Sequence, residues 1–270
     1  LAVSTGHTVD NTLEPYNHLA THLGNARALA RLYANVHPDR NTRQTAETCE
    51  KAVEKLTTEL SLNRALYDAI HATVAGGDPS TQRFVARTLR DFKRAGVDKN
   101  DETRARLQAI EEELVRLGQE FDKNIRNDVR SIRALPAQLE GLPQDYIDAH
   151  KPGADGRIEI STDYPDFVPF RTYAKNADAR TTLYRQYTSR GFPNNDRALR
   201  RILVLRHEKA KLLGYAHFAD YPTEDKMVKS GDAVAKFIER LAKVSLDRAK
   251  KDFAAMLARK RKDVPDAKEL

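Results

Sequence analysis

"LQAIEEELVRLGQEFDKNIRNDVRSI", residues 107–132, carries its apolar side chains at Leu107, Ile110, Leu114, Leu117, Phe121, Ile125, Val129 and Ile132. The steps between them are all three or four residues, the spacing that sets side chains on one face of a 3.6-residue helix. One helix of about eight turns is predicted, over roughly residues 100–133. Asn100 is placed to cap it, and Asp101 and Glu102 put negative charge at the positive end of its dipole.

The same period extends outward in both directions. A helix is expected from about Pro15 to Val36, and Asn41 with Gln44 reads as a capping box opening another through Cys49, Val53, Leu56 and Leu60 toward Ile70. "AGGDP", Ala75 to Pro79, with Gly76-Gly77 as its turn, should stop that helix, and a shorter one carrying Phe84, Val85, Leu89 and Phe92 closes at Gly96. Beyond the long helix the texture changes. "SIRALPAQLEGLP" and "GRIEIST" are short, alternate apolar with charged residues, and are expected to pair as a small ribbon. Helices then resume in "PDFVPFRTYA", "DARTTLYRQYTSR", "NDRALRRILVLRHEKAKLLGY" and a last stretch from about Gly231 to Arg261. Ser230 suits the N-cap of that last helix, and its stripe runs through Val234, Phe237, Leu241, Phe253 and Leu257. The fold class is therefore mainly α, a multi-helix array with long helices and one two-stranded β ribbon. The expected domains are residues 1–135, holding the long helix, and residues 136–270, holding the ribbon and the later helices.

Composition narrows the function classes. No apolar run reaches the ~18 residues of a membrane span. Residue 1 is Leu rather than Met, so a start upstream is expected and a removed leader stays open. The single cysteine, Cys49, forms no intrachain disulfide, which suits a reducing compartment such as the cytoplasm, with periplasmic or secreted locations left open. Cys49 itself reads as a small buried hydrophobe. The net charge of +7 is local: Lys226 to Lys262 holds twelve Lys or Arg against four Asp or Glu, a net +8. Such a patch suits nucleic acid, anionic lipid or an acidic partner. Few aromatics interleave it, so it reads first as a solvated helix face.

Motifs for chemistry begin and stop short. His207 and Glu208 start an H-E-x-x-H zinc helix, but Lys211 stands where the second histidine belongs, and an ammonium has no lone pair for a cation. Both read as helix-surface residues, on a helix whose stripe is Leu199, Ile202, Leu203, Ala210 and Leu213 and which ends at Gly214. His18 and His22 share i,i+4 spacing without a glutamate to act as base, and read as non-functional. No nucleophile elbow, Walker loop or dinucleotide loop is present. Tyrosines 164, 173, 184, 187, 215 and 221 read as residues sealing a helical core with the hydroxyl at its edge; lining a peptide channel is the other reading. The catalytic and metal-ligating sets of this chain are expected to be empty, and its substrate-binding residues are left unassigned.

One block adds what periodicity does not. "TSRGFPNNDRALRRILVLRHEKAKLLGYAHFADYPTEDKMVKSGDAVAKFIERL" is similar to the region before the catalytic domain in the thimet oligopeptidase, neurolysin and oligopeptidase A family of zinc metallopeptidases. The matching positions are Ser189, Arg190, Asn194, Asn195, Leu205, Arg206, Ala210, Leu212, Leu213, Gly214, Tyr215, Lys226, Met227 and Ser230. "LRDFKRAGVDKNDETRARLQAIEEELVRLGQEFDKNI", "LEGLPQDYI" and "YPDFVPFRTYAKNADARTTLYRQYTSR" resemble further family blocks in order and spacing. The resemblance implies a non-catalytic N-terminal part of a zinc-dependent peptide hydrolase, forming one wall of a channel for short peptides. The family's H-E-x-x-H helix is expected beyond Leu270, so zinc belongs to the full-length family and no cofactor is assigned to this chain. Without a covering catalytic domain, an apolar face would be exposed and self-association follows. Two other readings stay open: a stand-alone helical binding protein using the basic segment on nucleic acid or acidic partners, and a split enzyme whose partner supplies the zinc helix.

Overall fold

The computed structural model describes residues 6–73 and 78–269, and within them the chain is a succession of eleven α-helices with one pair of short strands. Thr8 opens it. Its hydroxyl accepts the Asn11 N–H while the Asn11 side chain takes the Thr8 N–H, a reciprocal cap on a π-helical turn at Val9–Leu13. Helix α1 (Glu14–Val36) has Pro15 in its first turn, where a missing N–H costs nothing, and α2 (Arg40–Ser61) packs back along it. Next come α3 (Arg64–Ala72) and α4 (Pro79–Ala95), the latter closed by Gly96 at φ 102°. Leu13, Leu66, Tyr67, Ile70, Phe92 and Val97 form a buried cluster among these elements. The predicted turn at Gly76-Gly77 lies outside the described residues, as does Leu270.

Three expectations for this region are corrected. The helix expected from Asn41 to Ile70 is two helices, because Leu62 ends α2 and the Asn63 side chain accepts the Leu66 N–H at 2.9 Å to start α3. The first of them is capped by Asp39, whose carboxylate takes the Thr42 N–H, not by an Asn41 box. Cys49 is exposed, not buried. The inward face of α2 is set by Ala46 and by Glu47 and Glu50, which reach α5 (Asp101–Asn127); Cys49 and Leu56 lie on its exposed side, while Leu60 packs on the buried cluster. A maleimide or disulfide reagent is expected to titrate one thiol in the native chain without denaturant; a thiol that reacts only on unfolding would contradict this placement.

The long helix begins as expected, with Asn100 Oδ1 accepting the Thr103 N–H at 2.8 Å. It ends earlier than expected, at Asn127. Asp128 leaves the helix and uses its carboxylate on Arg130 and on the Gly191 N–H. From Arg130 onward the chain pairs with another segment: the Arg130 N–H donates to Thr162 Oγ1 at 3.0 Å and the Thr162 N–H donates to the Arg130 carbonyl at 2.8 Å. The ribbon follows, β1 (Ser131–Ala134) antiparallel to β2 (Ile158–Ser161) with Ile132 opposite Ile160. Ile132 thus continues the helical row by spacing alone; it is buried through strand alternation, together with Ala134.

Between the strands lies α6 (Gln144–Ala149), and after them α7 (Tyr164–Tyr173) and α8 (Ala177–Thr188) pack on the ribbon. Phe170, Ile160, Leu183, Leu139, Ala134 and Phe167 centre the cluster they share. Helix α9 (Asn194–Leu213) is followed by the short α10 (Asp220–Thr223) and by α11 (Gly231–Asp263). The packing falls into two units, the first ending at Leu205 and the second beginning at Arg206. In the first unit the face of α9 turned toward α5 carries Asn195, Ala198 and Arg201, whose guanidinium forms two bonds to Glu113 at 2.7 and 2.8 Å. That orientation leaves Leu199 and Leu203 exposed, so the expected stripe is displaced. In the second unit Ser230 caps α11 by accepting the Ala233 N–H at 3.2 Å, and no residue of α11 is buried.

Candidate functional site

The H-E-x-x-K stretch resolves into a helix end. His207 is exposed on α9, and Lys211 donates to the Ala216 carbonyl at 2.9 Å. Gly214 adopts φ 92°, which lets the Tyr215 N–H return to the Ala210 carbonyl at 2.8 Å and closes the helix. Cations then brace the turn: the Arg206 guanidinium lies 5.2 Å from the Phe218 ring and the Lys209 ammonium 4.5 Å from that of Tyr221. His18 and His22 are both exposed on α1, and the Nδ1 of His22 is taken up by the His18 carbonyl at 2.7 Å. Among the described residues no three His, Cys, Asp or Glu side chains stand close enough together to hold a metal ion.

Asn195 is the centre of a structural joint, whereas Asn194 beside it is exposed. Asn195 is buried, its amide donates to the Phe121 carbonyl at 3.0 Å, and its oxygen accepts from the Asn124 amide at 2.9 Å. One side chain thereby satisfies polar groups of α5 from the start of α9. Gly191 has φ 78°, and a Cβ there would stand 2.6 Å from the Asn195 amide nitrogen, so only glycine leaves the amide room. The Gly191 N–H in turn donates to Asp128 at 2.8 Å. Hydrogen bonds from Arg130, and then from Gly191, hold the Asp128 carboxyl below the usual carboxylate range. Sequence reading singled out the two asparagines but not Asp128, Asn124 or Gly191, whose roles depend on contacts more than 60 residues apart.

The tyrosines do not all behave as expected. Tyr164, Tyr173 and Tyr184 are 66%, 54% and 47% exposed, so these three do not seal a core. Tyr187 is half-buried, stacked on Phe167 with ring centroids 3.8 Å apart, and its hydroxyl donates to that of Tyr164 at 3.2 Å. Arg190 covers the Tyr187 ring at 4.1 Å, and Arg171 lies 5.5 Å from the Tyr184 ring. Tyr215 and Tyr221, half-buried in the second unit, meet edge to face at 5.5 Å. The tyrosines that are buried, Tyr67 and Tyr146, carry no distinguishing mark in the sequence.

Beneath the aromatic face, Asp166 ties α7 to the ribbon and to α6. It accepts the Ser161 hydroxyl at 2.6 Å and the Ser161 N–H at 2.9 Å, and His150 Nε2 lies 3.0 Å away while Nδ1 faces the Tyr146 carbonyl at 2.7 Å. Burial pushes the Asp166 carboxyl up, but the Ser161 and His150 hydrogen bonds outweigh it, and the group titrates below its ordinary 3.8. A carboxyl whose pKa is lowered by folding stabilises the fold above its ordinary pKa and loses that contribution as pH falls through the lowered value. Asp166→Asn is therefore expected to melt below the parent chain at pH 7, with the gap closing in acid below about pH 4. Equal melting temperatures at pH 7 would refute the role given to Asp166.

The basic segment lies mostly on α11, whose large apolar residues are exposed with its charges; Phe237, Leu241, Val244 and Phe253 all face solvent, and Met227 in the preceding loop is 98% exposed. No helix among the described residues is long and apolar enough to cross a membrane.

The profile of peptidase family M3 matches residues 170–270, which takes in α8, the joint, α9 and α11. The thimet-like oligopeptidase of Dictyostelium discoideum is 28% identical over 265 residues, covering 94% of this chain and 39% of that protein. Oligopeptidase A of Escherichia coli is 26% identical over 278 residues, 96% of this chain and 41% of the relative. Saccharolysin of Saccharomyces cerevisiae is 23% identical over 270 residues, 95% and 38% respectively. The chain thus spans about two fifths of the length of the curated relatives it matches.

Proposed function

We propose that this chain, a member of peptidase family M3, is the non-catalytic helical part of a zinc-dependent oligopeptidase and forms one wall of the channel that admits short peptides. The observation that carries the reading is a pairing of two facts. Similarity to oligopeptidases runs over 94% of the chain, yet the described residues offer no three-ligand group for a metal. Zinc hydrolysis needs about three protein ligands and an open position for water. These residues do not fit that need, so no step of hydrolysis is assigned to them. Their work is mechanical: the Asn195 joint and the Arg201–Glu113 pair fix α9 against α5, and the Phe170 cluster holds α7 and α8 on the ribbon.

The uncovered apolar side chains of α11 support the same reading, since a soluble chain rarely leaves so many together in water. In the complete peptidase they would seat its catalytic part, and in isolated chains they would promote self-association. A single exposed cysteine suits a reducing compartment, and the cytoplasm is proposed. The test is direct. Purified chain should carry far less than one equivalent of zinc by atomic absorption and leave a quenched fluorescent peptide uncut. Chelator-sensitive cleavage by a homogeneous sample would overturn the proposal.

A further inference from the structure

We propose that the exposed face of α7 and α8 formed by Tyr164, Val168, Arg171, Tyr184 and Tyr187 docks peptides, and that it favours those carrying a carboxylate side chain beside a large apolar one. The inference rests on the peptide-channel reading above and names where on this chain a peptide would lie. Tyr164, Val168 and Arg171 stand at i, i+4 and i+7, so they share one face of α7; Tyr184 and Tyr187 stand at i and i+3 on α8. Contacts join the two rows into one surface. The hydroxyls of Tyr187 and Tyr164 meet at 3.2 Å, and Arg171 approaches the Tyr184 ring at 5.5 Å.

The chemistry of this surface selects its occupant. Tyr164, Val168 and Tyr184 keep about half or more of their area in water, a patch with more apolar area than isolated surface residues normally show. Tyrosine rings bury area at little entropic cost, and their hydroxyls can meet a peptide carbonyl or N–H. The rings are held in place from below and beside: Phe167 stacks under Tyr187, and Arg190, held by its Nε donating to the Tyr187 carbonyl at 3.2 Å, covers that ring. Arg171 differs from Arg190. Arg190 is held by its bond to the Tyr187 carbonyl, whereas Arg171 points its guanidinium beside Tyr184 with no carboxylate within ion-pair distance among the described residues, a positive group placed to receive a negative one. A peptide with a glutamate next to a leucine or an aromatic residue complements both features.

The chain contains no tryptophan, so a peptide tryptophan can be excited alone and its anisotropy read as binding. The probes are capped hexapeptides, Gly-Glu-Leu-Trp-Glu-Gly and its versions with Gln or Lys at both Glu positions. The glutamate peptide is expected to bind about threefold more tightly than the glutamine peptide, the size of an exposed ion pair, with the lysine peptide weaker again. Arg171→Met should bring the Glu/Gln ratio to one, while Arg171→Lys retains a preference. Tyr184→Ser should weaken both peptides about tenfold without changing their ratio. Both positions are exposed, and unchanged circular dichroism confirms that the variants fold. A ratio of one in the parent chain, a ratio unmoved by Arg171→Met, or no binding of any peptide would overturn this inference and leave the non-catalytic reading intact. Peptide cleavage or bound zinc would overturn that reading and leave the ratio to be measured.

Discussion

Phe170→Ala is expected to cost about 3–5 kcal/mol, among the largest losses of any single truncation in the first unit. Phe170 is fully buried at the centre of the cluster that joins the ribbon to α7 and α8, among Ile160, Leu183, Leu139 and Ala134. Deleting the ring removes its transfer free energy and leaves a cavity, and the neighbours come from three kinds of element that cannot all close in at once. For a chain of this size the loss corresponds to a fall in melting temperature of about 10 °C. Phe170→Leu keeps most of the volume and should cost about 1.5 kcal/mol. Guanidinium unfolding followed by far-UV circular dichroism measures both. A loss under about 1 kcal/mol for the alanine variant would mean that the site collapses freely and that the cluster is not the support of the aromatic face.

Gly141→Ala should approach the same magnitude, about 2–4 kcal/mol, for a different reason. Gly141 has φ 96°, a conformation strained for any residue with a Cβ. A Cβ there would also overlap the Tyr173 carbonyl oxygen and sit 3.1 Å from the Lys175 side chain. That oxygen belongs to backbone, and Lys175 is itself tied to this turn by its N–H donating to the Glu140 carbonyl at 2.8 Å. The end of α7 would have to move. Gly156→Ala is the matched control: φ is 74° but nothing lies within 4 Å of the added Cβ, so only the backbone strain of about 1 kcal/mol remains. Equal losses at the two positions would show that the contact with Tyr173 is relieved without cost.

Much of the helical architecture is legible in the sequence alone. The caps at Asn100 and Ser230 and the closures at Gly96 and Gly214 came from local chemistry, because a side-chain acceptor three residues before an orphan N–H, or a residue free to take positive φ, acts within one turn. The ribbon was legible for the same reason, as alternation over four residues. The end of the long helix was not. Ile132 lies at helical spacing from Val129, and only the distant partner strand, with Thr162 bonded to Arg130, shows that it belongs to a sheet. The break between α2 and α3 was missed because Asn63 competes locally with a helix that apolar spacing alone would continue.

The site divides the same way. An absent second histidine after His207 is readable from residue types, since no fold turns an ammonium into a zinc ligand. Exposure is not readable in that way. Tyr164 and Tyr146, or Leu203 and Leu205, are alike as residue types, yet the first of each pair is exposed and the second buried. By itself the sequence determined most of the helices, the caps at Asn100 and Ser230, the ribbon and the failure of the His207 stretch to complete H-E-x-x-H, because each follows from neighbours within a turn or from the valence of a side chain. Only the tertiary structure decided that Cys49 faces water, that Asn195 and Asp128 lock a joint, and that a tyrosine and arginine face stands open, because burial is settled by which surfaces meet across tens of residues.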